Sequence, residues 1–289
     1  MVSDYYAGRV AVITGAGSGI GRAIALELAG RGARLGLCDL DAASVEETGR
    51  RCRAVGADVR AHHLDVTAHE NVVEYAESIS ATFGGVDLVF CVAGVIISGS
   101  LLDSDTADVD HLLDVNVRGV LYTAKAFLPS VVRSPRGHIV TVSSAFGLLA
   151  APNYTAYSAS KFAVRGLSES LQQEMALLGH RVTVTCAYPG GVRTPIVRNG
   201  RFAPGEDQAA IIARFEESIA RTDPEVAART ILRAVERGRA RVLVGRDAQL
   251  VSLVARAMGS SYVRVMPRVL RLMQALSKFQ SRSDRARGD

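Results

Sequence analysis

The chain has 289 residues, of which 48% are hydrophobic and 22% charged, with a formal net charge of +5. That composition excludes a disordered chain, and no uncharged apolar run reaches the ~18 residues of a membrane-spanning helix. The length suits one α/β domain with additions. The opening MVSDYYAGRVAVITGAG has an early acid, no basic leader and an apolar run that ends in glycines, so no secretory signal is expected there. Cys38, Cys52, Cys91 and Cys186 lack metal-ligand spacing, which points to buried reduced thiols, no metal site and a cytoplasmic protein. The charge is uneven. Residues 229–289 hold 14 Lys/Arg against 4 Asp/Glu, and the preceding residues 20 against 25.

In chain order, RVAVITG reads as a strand that runs into glycines, GIGRAIALELAGRG as a helix, and ARLGLCD as a strand that ends on an acid. AASVEETGRRCRAVG follows as a helix, VRAHHLDV as a strand, HENVVEYAESISATFG as a helix and VDLVFCVAG as a strand. DHLLDVNVRGVLYTAKAFLPSVV reads as one long helix, GHIVTVSS as a fifth strand, AYSASKFAVRGLSESLQQEMALLG as another long helix and RVTVTCAYPGG as a sixth strand. Strands this apolar, alternating with helices, predict an α/β fold: a single doubly wound parallel sheet, the Rossmann arrangement, with helices on both faces. It should span residues 1–245, with residues 246–289 as a helical C-terminal extension whose basic end is expected to be disordered. Ligands of such sheets bind at the carboxyl ends of the strands.

The stretch TGAGSGIG places Gly15, Gly19 and Gly21 between the first strand and the first helix. Glycine permits the tight turn and the close approach of backbone to phosphate, and the free N–H groups of a helix N-terminus suit a pyrophosphate. Asp39 closes the second strand. A carboxylate there accepts hydrogen bonds from a ribose 2′-hydroxyl and repels a 2′-phosphate, and neither Ser18 nor Leu40 is basic. This favours NAD over NADP. The competing reading makes Asp39 a helix N-cap. Asp65, after the third strand, suits either an adenine amino group or the capping of the next segment.

Tyr157 and Lys161 stand at i and i+4 and share a helix face. A phenol titrates near ~10. A neighbouring ammonium stabilises the phenolate and lowers that value, so that Tyr157 can exchange a proton with an alcohol or carbonyl oxygen. Ser143 and Ser144 end the fifth strand, where a hydroxyl can reach the same oxygen. Asn116, in DVNVRG, must satisfy its amide, either through a water shared with Lys161 or as a polar residue that kinks its helix.

Taken together, TGAGSGIG, Asp39, Leu64–Val66, DVNVRG, Val142–Ser144, YSASK and Pro189–Thr194 resemble, in order, the motifs of the short-chain dehydrogenase/reductase family, in its shorter-subunit branch. The resemblance covers residues 8 to about 195. It implies a catalytic tetrad of Asn116, Ser144, Tyr157 and Lys161. Tyr157 would be the acid/base and Ser144 would orient the substrate oxygen. Lys161 would bind the nicotinamide ribose and depress the tyrosine, and Asn116 would hold a relay water. It also implies a cofactor site made of Gly15, Gly17, Ser18, Gly19, Ile20, Gly21, Asp39, Leu40, Asp65, Val66, Ala93, Gly94, Tyr157, Lys161, Pro189, Gly190, Val192 and Thr194. There are two departures. The family's Asn-Asn-Ala-Gly run is Cys91–Gly94 here, which keeps Ala-Gly and loses two amides. The usual ending after the last strand is replaced by a long segment, which argues against the fatty-acid-synthesis ketoacyl reductase branch.

Residues 196–222 correspond to the family's lid. Ile196, Val197, Phe202, Ile211, Ile212 and Phe215, with Phe146, Leu148 and Leu149, point to an apolar substrate, and Tyr154 is expected to line its pocket. In the tail, Arg264, Arg268, Arg271 and Lys278 form a basic stripe. It suits either a helix packed on the domain or a second subunit, or weak contact with an anionic membrane surface. No motif for nucleic acid accompanies it. The expected function is NAD-dependent hydride exchange, oxidation being favoured, with a secondary alcohol or ketone on a steroid, retinoid-like or lipid skeleton. The alternatives are an NADPH-linked carbonyl reductase and a non-catalytic NAD-binding sensor or scaffold. The two long helices resemble those that pair in the family's dimers, so a homodimer or homotetramer is expected.

Overall fold

The computed structural model describes residues 5–268. Seven strands, β1 (Val10–Thr14), β2 (Arg34–Asp39), β3 (Val59–His63), β4 (Leu88–Cys91), β6 (Gly137–Val142), β7 (Val182–Pro189) and β9 (Arg241–Val244), form one sheet in the order β3-β2-β1-β4-β6-β7-β9. Every pairing is parallel. Two short strands, β5 (Ile97–Ser98) and β8 (Arg201–Phe202), form a separate ribbon that joins the loop after β4 to the lid.

The central strands are buried along their whole length because both of their faces are covered. One face packs under α1 (Gly19–Gly30), α2 (Ala42–Ala54) and α8 (Pro224–Glu236), around Ile13, Ile24, Leu28, Phe90 and Leu232. The other lies under α3 (His69–Phe83), α5 (Gly119–Arg133) and α6 (Thr155–Leu177), around Val12, Ile79, Val89, Phe127 and Val164. Helix starts follow local chemistry. Asp41 caps α2 by accepting the Ser44 N–H at 3.0 Å, Asp105 caps α4 (Thr106–Leu113) through the Ala107 N–H, and Pro224 opens α8. All four cysteines are buried and free.

The sheet order reverses beside β1, between β1 and β4. That switch point opens a crevice at the carboxyl ends of the strands. The helix expected over residues 110–132 is broken differently from the reading of its sequence. Between α4 and α5 the backbone makes a π turn over Asp114–Arg118. The chain continues beyond β9 into α9 (Arg246–Met258) and a helical stretch over 262–268, and α9 lies against the turn that follows β6. Arg264 and Arg268 are exposed there; Arg271, Lys278 and the expected disordered end lie outside the described residues. Among the described residues, no helix is long and apolar enough to cross a membrane.

Candidate active site

At the end of β1 the chain enters the glycine-rich turn. Gly15 has φ +66°, and a Cβ there would stand 2.8 Å from the Ala93 backbone. At Gly21 a Cβ would meet the Gly15 carbonyl at 2.1 Å, and at Gly19 the Thr194 methyl at 2.8 Å. Three glycines therefore let β1, β4 and the loop after β7 converge with their backbones bare. The Thr14 hydroxyl accepts the Val92 and Ala93 N–H groups at 3.1 and 3.2 Å. The amides absent from Cys91–Gly94 thus leave no local gap: a threonine across the sheet takes up the backbone donors.

Asp39 is not a helix cap, since Asp41 has that role. Its carboxylate accepts the Gly17 N–H at 2.8 Å and the Asp41 N–H at 3.0 Å. A basic group that the sequence reading passed over also stands at this end. Arg22 donates to the Gly17 carbonyl and to the Thr48 hydroxyl at 3.0 Å. Asp65 accepts the Thr67 N–H and hydroxyl at 2.9 and 2.8 Å, so it does cap its own turn.

Tyr157 and Lys161 occupy the first turns of α6, both buried. The Lys161 ammonium lies 5.5 Å from the Tyr157 ring centre and donates to the Val142 carbonyl at 3.2 Å. The serine doublet divides its work. Both line the crevice, and Ser143 donates to the Lys161 carbonyl at 2.7 Å, fixing α6 to the end of β6. Ser144 faces the crevice, and its Oγ accepts the Phe146 N–H at 3.1 Å.

Within the protein, burial pushes the Tyr157 phenol up to about 12; a hydrogen bond from Ser144 acts against that rise and Tyr154 adds to it. Burial likewise pushes the Lys161 ammonium down to about 8. The lowering expected at Tyr157 from its lysine neighbour does not appear among the causes of its shift; desolvation, which acts on both groups, sets the direction.

Asn116 sits in the π turn, fully buried. Its Oδ1 accepts the Val95 N–H at 2.8 Å. Its Nδ2 donates to the Val95 carbonyl at 2.9 Å and to Ser160 Oγ at 3.1 Å. The amide is satisfied by protein groups alone and needs no water for that purpose. Asn116 lies directly behind Gly94, where a Cβ would meet Asn116 Oδ1 at 3.1 Å and Lys161 Nζ at 3.4 Å.

These elements enclose a cavity of about 730 Å³. Of the residues expected to hold a cofactor, all but Gly17 line it. Of the expected tetrad, Ser144, Tyr157 and Lys161 do, and Asn116 stands behind its wall. Residues 196–222 contribute Ile196, Val197 and Phe215, while Phe202, Ile211 and Ile212 pack behind them. Tyr154 does not line the cavity. It backs Phe146, with ring centres 5.1 Å apart. Leu148 is buried instead against Cys186 and Tyr188.

Known proteins agree with this architecture. A family model described as short chain dehydrogenase matches residues 9–203. The chain belongs to the short-chain dehydrogenase family. Over 261 residues, which is 90% of this chain and 95% of the relative, it is 47% identical to SadH of Mycobacterium tuberculosis, a protein named provisionally as an oxidoreductase. Human estradiol 17-beta-dehydrogenase 11 is 36% identical over 193 residues, 66% of this chain and 64% of that one. A short-chain dehydrogenase/reductase from Burkholderia phymatum, solved with NAD, superposes with a TM-score of 0.82 at 30% identity, covering 92% of this chain and 97% of the other. An alcohol dehydrogenase from Thermococcus sibiricus, solved with 5-hydroxy-NADP, gives 0.70 at 28% identity, covering 82% and 95%.

Within this short-chain dehydrogenase, several cavity residues escaped the sequence reading. His111, Val115 and Asn199 line the cavity along with the lid, and Asp247 and Val251 reach it from α9. Gly245, just after the last strand, with an acid two residues on, marks a helix start, but nothing in the sequence says where that acid points.

Proposed function

We propose that the protein is an NAD-dependent dehydrogenase that exchanges hydride with a secondary alcohol or ketone on a largely apolar substrate. The observation that carries this reading is the convergence of Ser144, Tyr157 and Lys161 on one cavity whose opposite end carries the Asp39 carboxylate. The residues fit a dinucleotide. The Gly15–Gly19–Gly21 cradle is one that a Cβ would fill, and the N-terminus of α1 lies beside it. Asp39 and Leu40 would meet the adenine ribose, with Asp65 and Val66 beside the adenine. Ala93, Gly94 and Pro189–Thr194 would flank the remainder.

NAD, when bound, supplies the hydride acceptor at nicotinamide C4. This chain's residues handle the proton and the orientation. The Ser144 hydroxyl holds the substrate oxygen, and the Tyr157 phenol exchanges the proton with it. Lys161 stands beside the phenol as a buried cation, and Asn116 holds the Val95 backbone against that end of the site. Burial of the phenol keeps it protonated within the protein, so a negative charge on Tyr157 must be offset by its neighbours once the site is filled.

The apolar reading of the substrate is supported by Ile96, Phe146, Ile196, Val197 and Phe215 in the wall and by a relative that is named for estradiol. Exposed Leu121 and Phe162, on α5 and α6, support pairing of two chains through those helices. The test is a titration of NADH and NADPH followed by a screen of secondary alcohols, steroids included. Preference for NADH with turnover of apolar alcohols is the expected result. Preference for NADPH, the cofactor type of the Thermococcus structure, would redirect the screen to carbonyl reduction. Binding without turnover of any alcohol or ketone, together with a Tyr157→Phe variant that keeps its cellular effect, would favour a sensor or scaffold.

A further inference from the structure

The loop after β7 is held from outside the segment that the family motifs cover. Gly191 donates its N–H to Asp247 Oδ2 at 2.5 Å, across 56 residues of chain. Asp247 belongs to the first turn of α9, and its carboxylate is packed so tightly on the loop that glycine is required around it. A Cβ on Gly190 would stand 2.0 Å from Oδ2, and one on Gly245, which has φ +95°, 2.4 Å from Oδ1. The other side of the loop is strapped by backbone. Arg221 and Thr222 both donate to the Gly191 carbonyl at 3.1 Å, and Arg193 donates to the Thr222 carbonyl at 2.9 Å. One turn further along α9, Val251 also lines the cavity. Beyond it Tyr262 Oη accepts the Ala150 N–H at 3.2 Å, tying the same C-terminal segment to the turn after Ser144.

We propose that Asp247 is a positioning residue, which fixes the Gly190–Gly191 backbone as the wall for the nicotinamide half of the cofactor. The proposal rests on the dinucleotide reading above. The carboxylate sits in the first helical turn, where the free N–H groups of α9 favour a negative charge. It holds the Gly191 amide by a charge-assisted hydrogen bond, stronger than a neutral one. The C-terminal segment thereby acts on the reacting end of the site while contributing nothing to the adenine end.

The experiment compares NADH, which carries the nicotinamide, with ADP-ribose, which lacks it, by calorimetric titration of the full chain. In Asp247→Ala, NADH affinity should fall about tenfold, the cost of one hydrogen bond to a charged group, while ADP-ribose affinity changes less than twofold. Asp247→Asn retains a side-chain oxygen that can accept from Gly191 and should recover most of the loss. Equal weakening of both ligands in Asp247→Ala, or no weakening of either, overturns the proposal with the dinucleotide reading intact. If the wild-type chain binds neither ligand, both fall together.

Discussion

The Asp39 carboxylate and the Gly17 N–H meet at 2.8 Å, locking the end of β2 to the glycine-rich turn. A Cβ on Gly17 would stand 2.9 Å from that carboxylate; on the NAD reading proposed above, the acid would occupy the corner that a 2′-phosphate needs. Asp39→Ala should therefore weaken NADH and relax discrimination against NADPH, with the ratio of the two dissociation constants moving at least tenfold toward NADPH. Titration by nucleotide fluorescence checks this. A ratio unchanged by the substitution would remove Asp39 as the selector.

Tyr157→Phe deletes the group that would carry the proton and leaves the ring that packs against Phe146. The turnover number should fall by ~10²–10⁴, the usual worth of a positioned acid or base, with NADH affinity within about twofold of wild type. Steady-state kinetics on any accepted alcohol, paired with a binding titration, separates the two quantities.

Lys161 gives a stability signature without added cofactor. Its folded value of about 8 lies below its ordinary 10.5. Between those limits the unfolded chain binds the proton and the folded chain does not, so stability rises with pH across that window. Tyr157, raised to about 12 from 10.0, acts in the opposite sense: the folded chain keeps its proton longer, and that contribution is lost from about pH 10 upward. Denaturant midpoints measured between pH 7 and 10 should climb in wild type relative to Lys161→Met, which has no ammonium to discharge. Parallel curves for the two proteins would contradict the burial argument.

Asn116→Ala leaves the Val95 N–H and carbonyl without their partner. The expected loss is about 1–3 kcal/mol of unfolding free energy, read from chemical denaturation. If instead Asn116 acts only through a relay water, stability would hold and only turnover would fall.

Gly190→Ala places a methyl against the Asp247 carboxylate. NADH binding should be lost at temperatures where the fold survives, and thermal scans beside titrations distinguish that outcome from simple unfolding.

Much of this site could be read from the chain because its signals are local. The glycines of TGAGSGIG lie within one turn, and Tyr157 and Lys161 are one helical turn apart. Asp39 ends a strand whose apolar pattern is plain. What escaped depends on contacts distant in sequence or on elements too short to leave a period. The π turn at Asp114–Arg118 sits inside an otherwise helical pattern, and two-residue strands such as β5 and β8 show no alternation. Ser143 and Ser144 both line the cavity, and only the placement of α6 shows that Ser143 also braces that helix through the Lys161 carbonyl. The direction of the Tyr157 shift depends on how deeply α6 is packed, which an i, i+4 spacing does not state.

The ribbon of β5 and β8 gives the lid a mechanical identity. Arg201 donates its N–H to the Ile96 carbonyl and Ala203 to that of Ser98, both near 3 Å. Val95, the residue before Ile96 in the loop leading into β5, is the one gripped by Asn116. Residues 201–203 are thus linked to α6 through Val95, Asn116 and Ser160. If the proposed site works as a tetrad under a cover, a substrate bulky enough to lift that cover would pull on the Val95 backbone that Asn116 holds, so tolerance of size and precision of chemistry would be adjusted by a single lever.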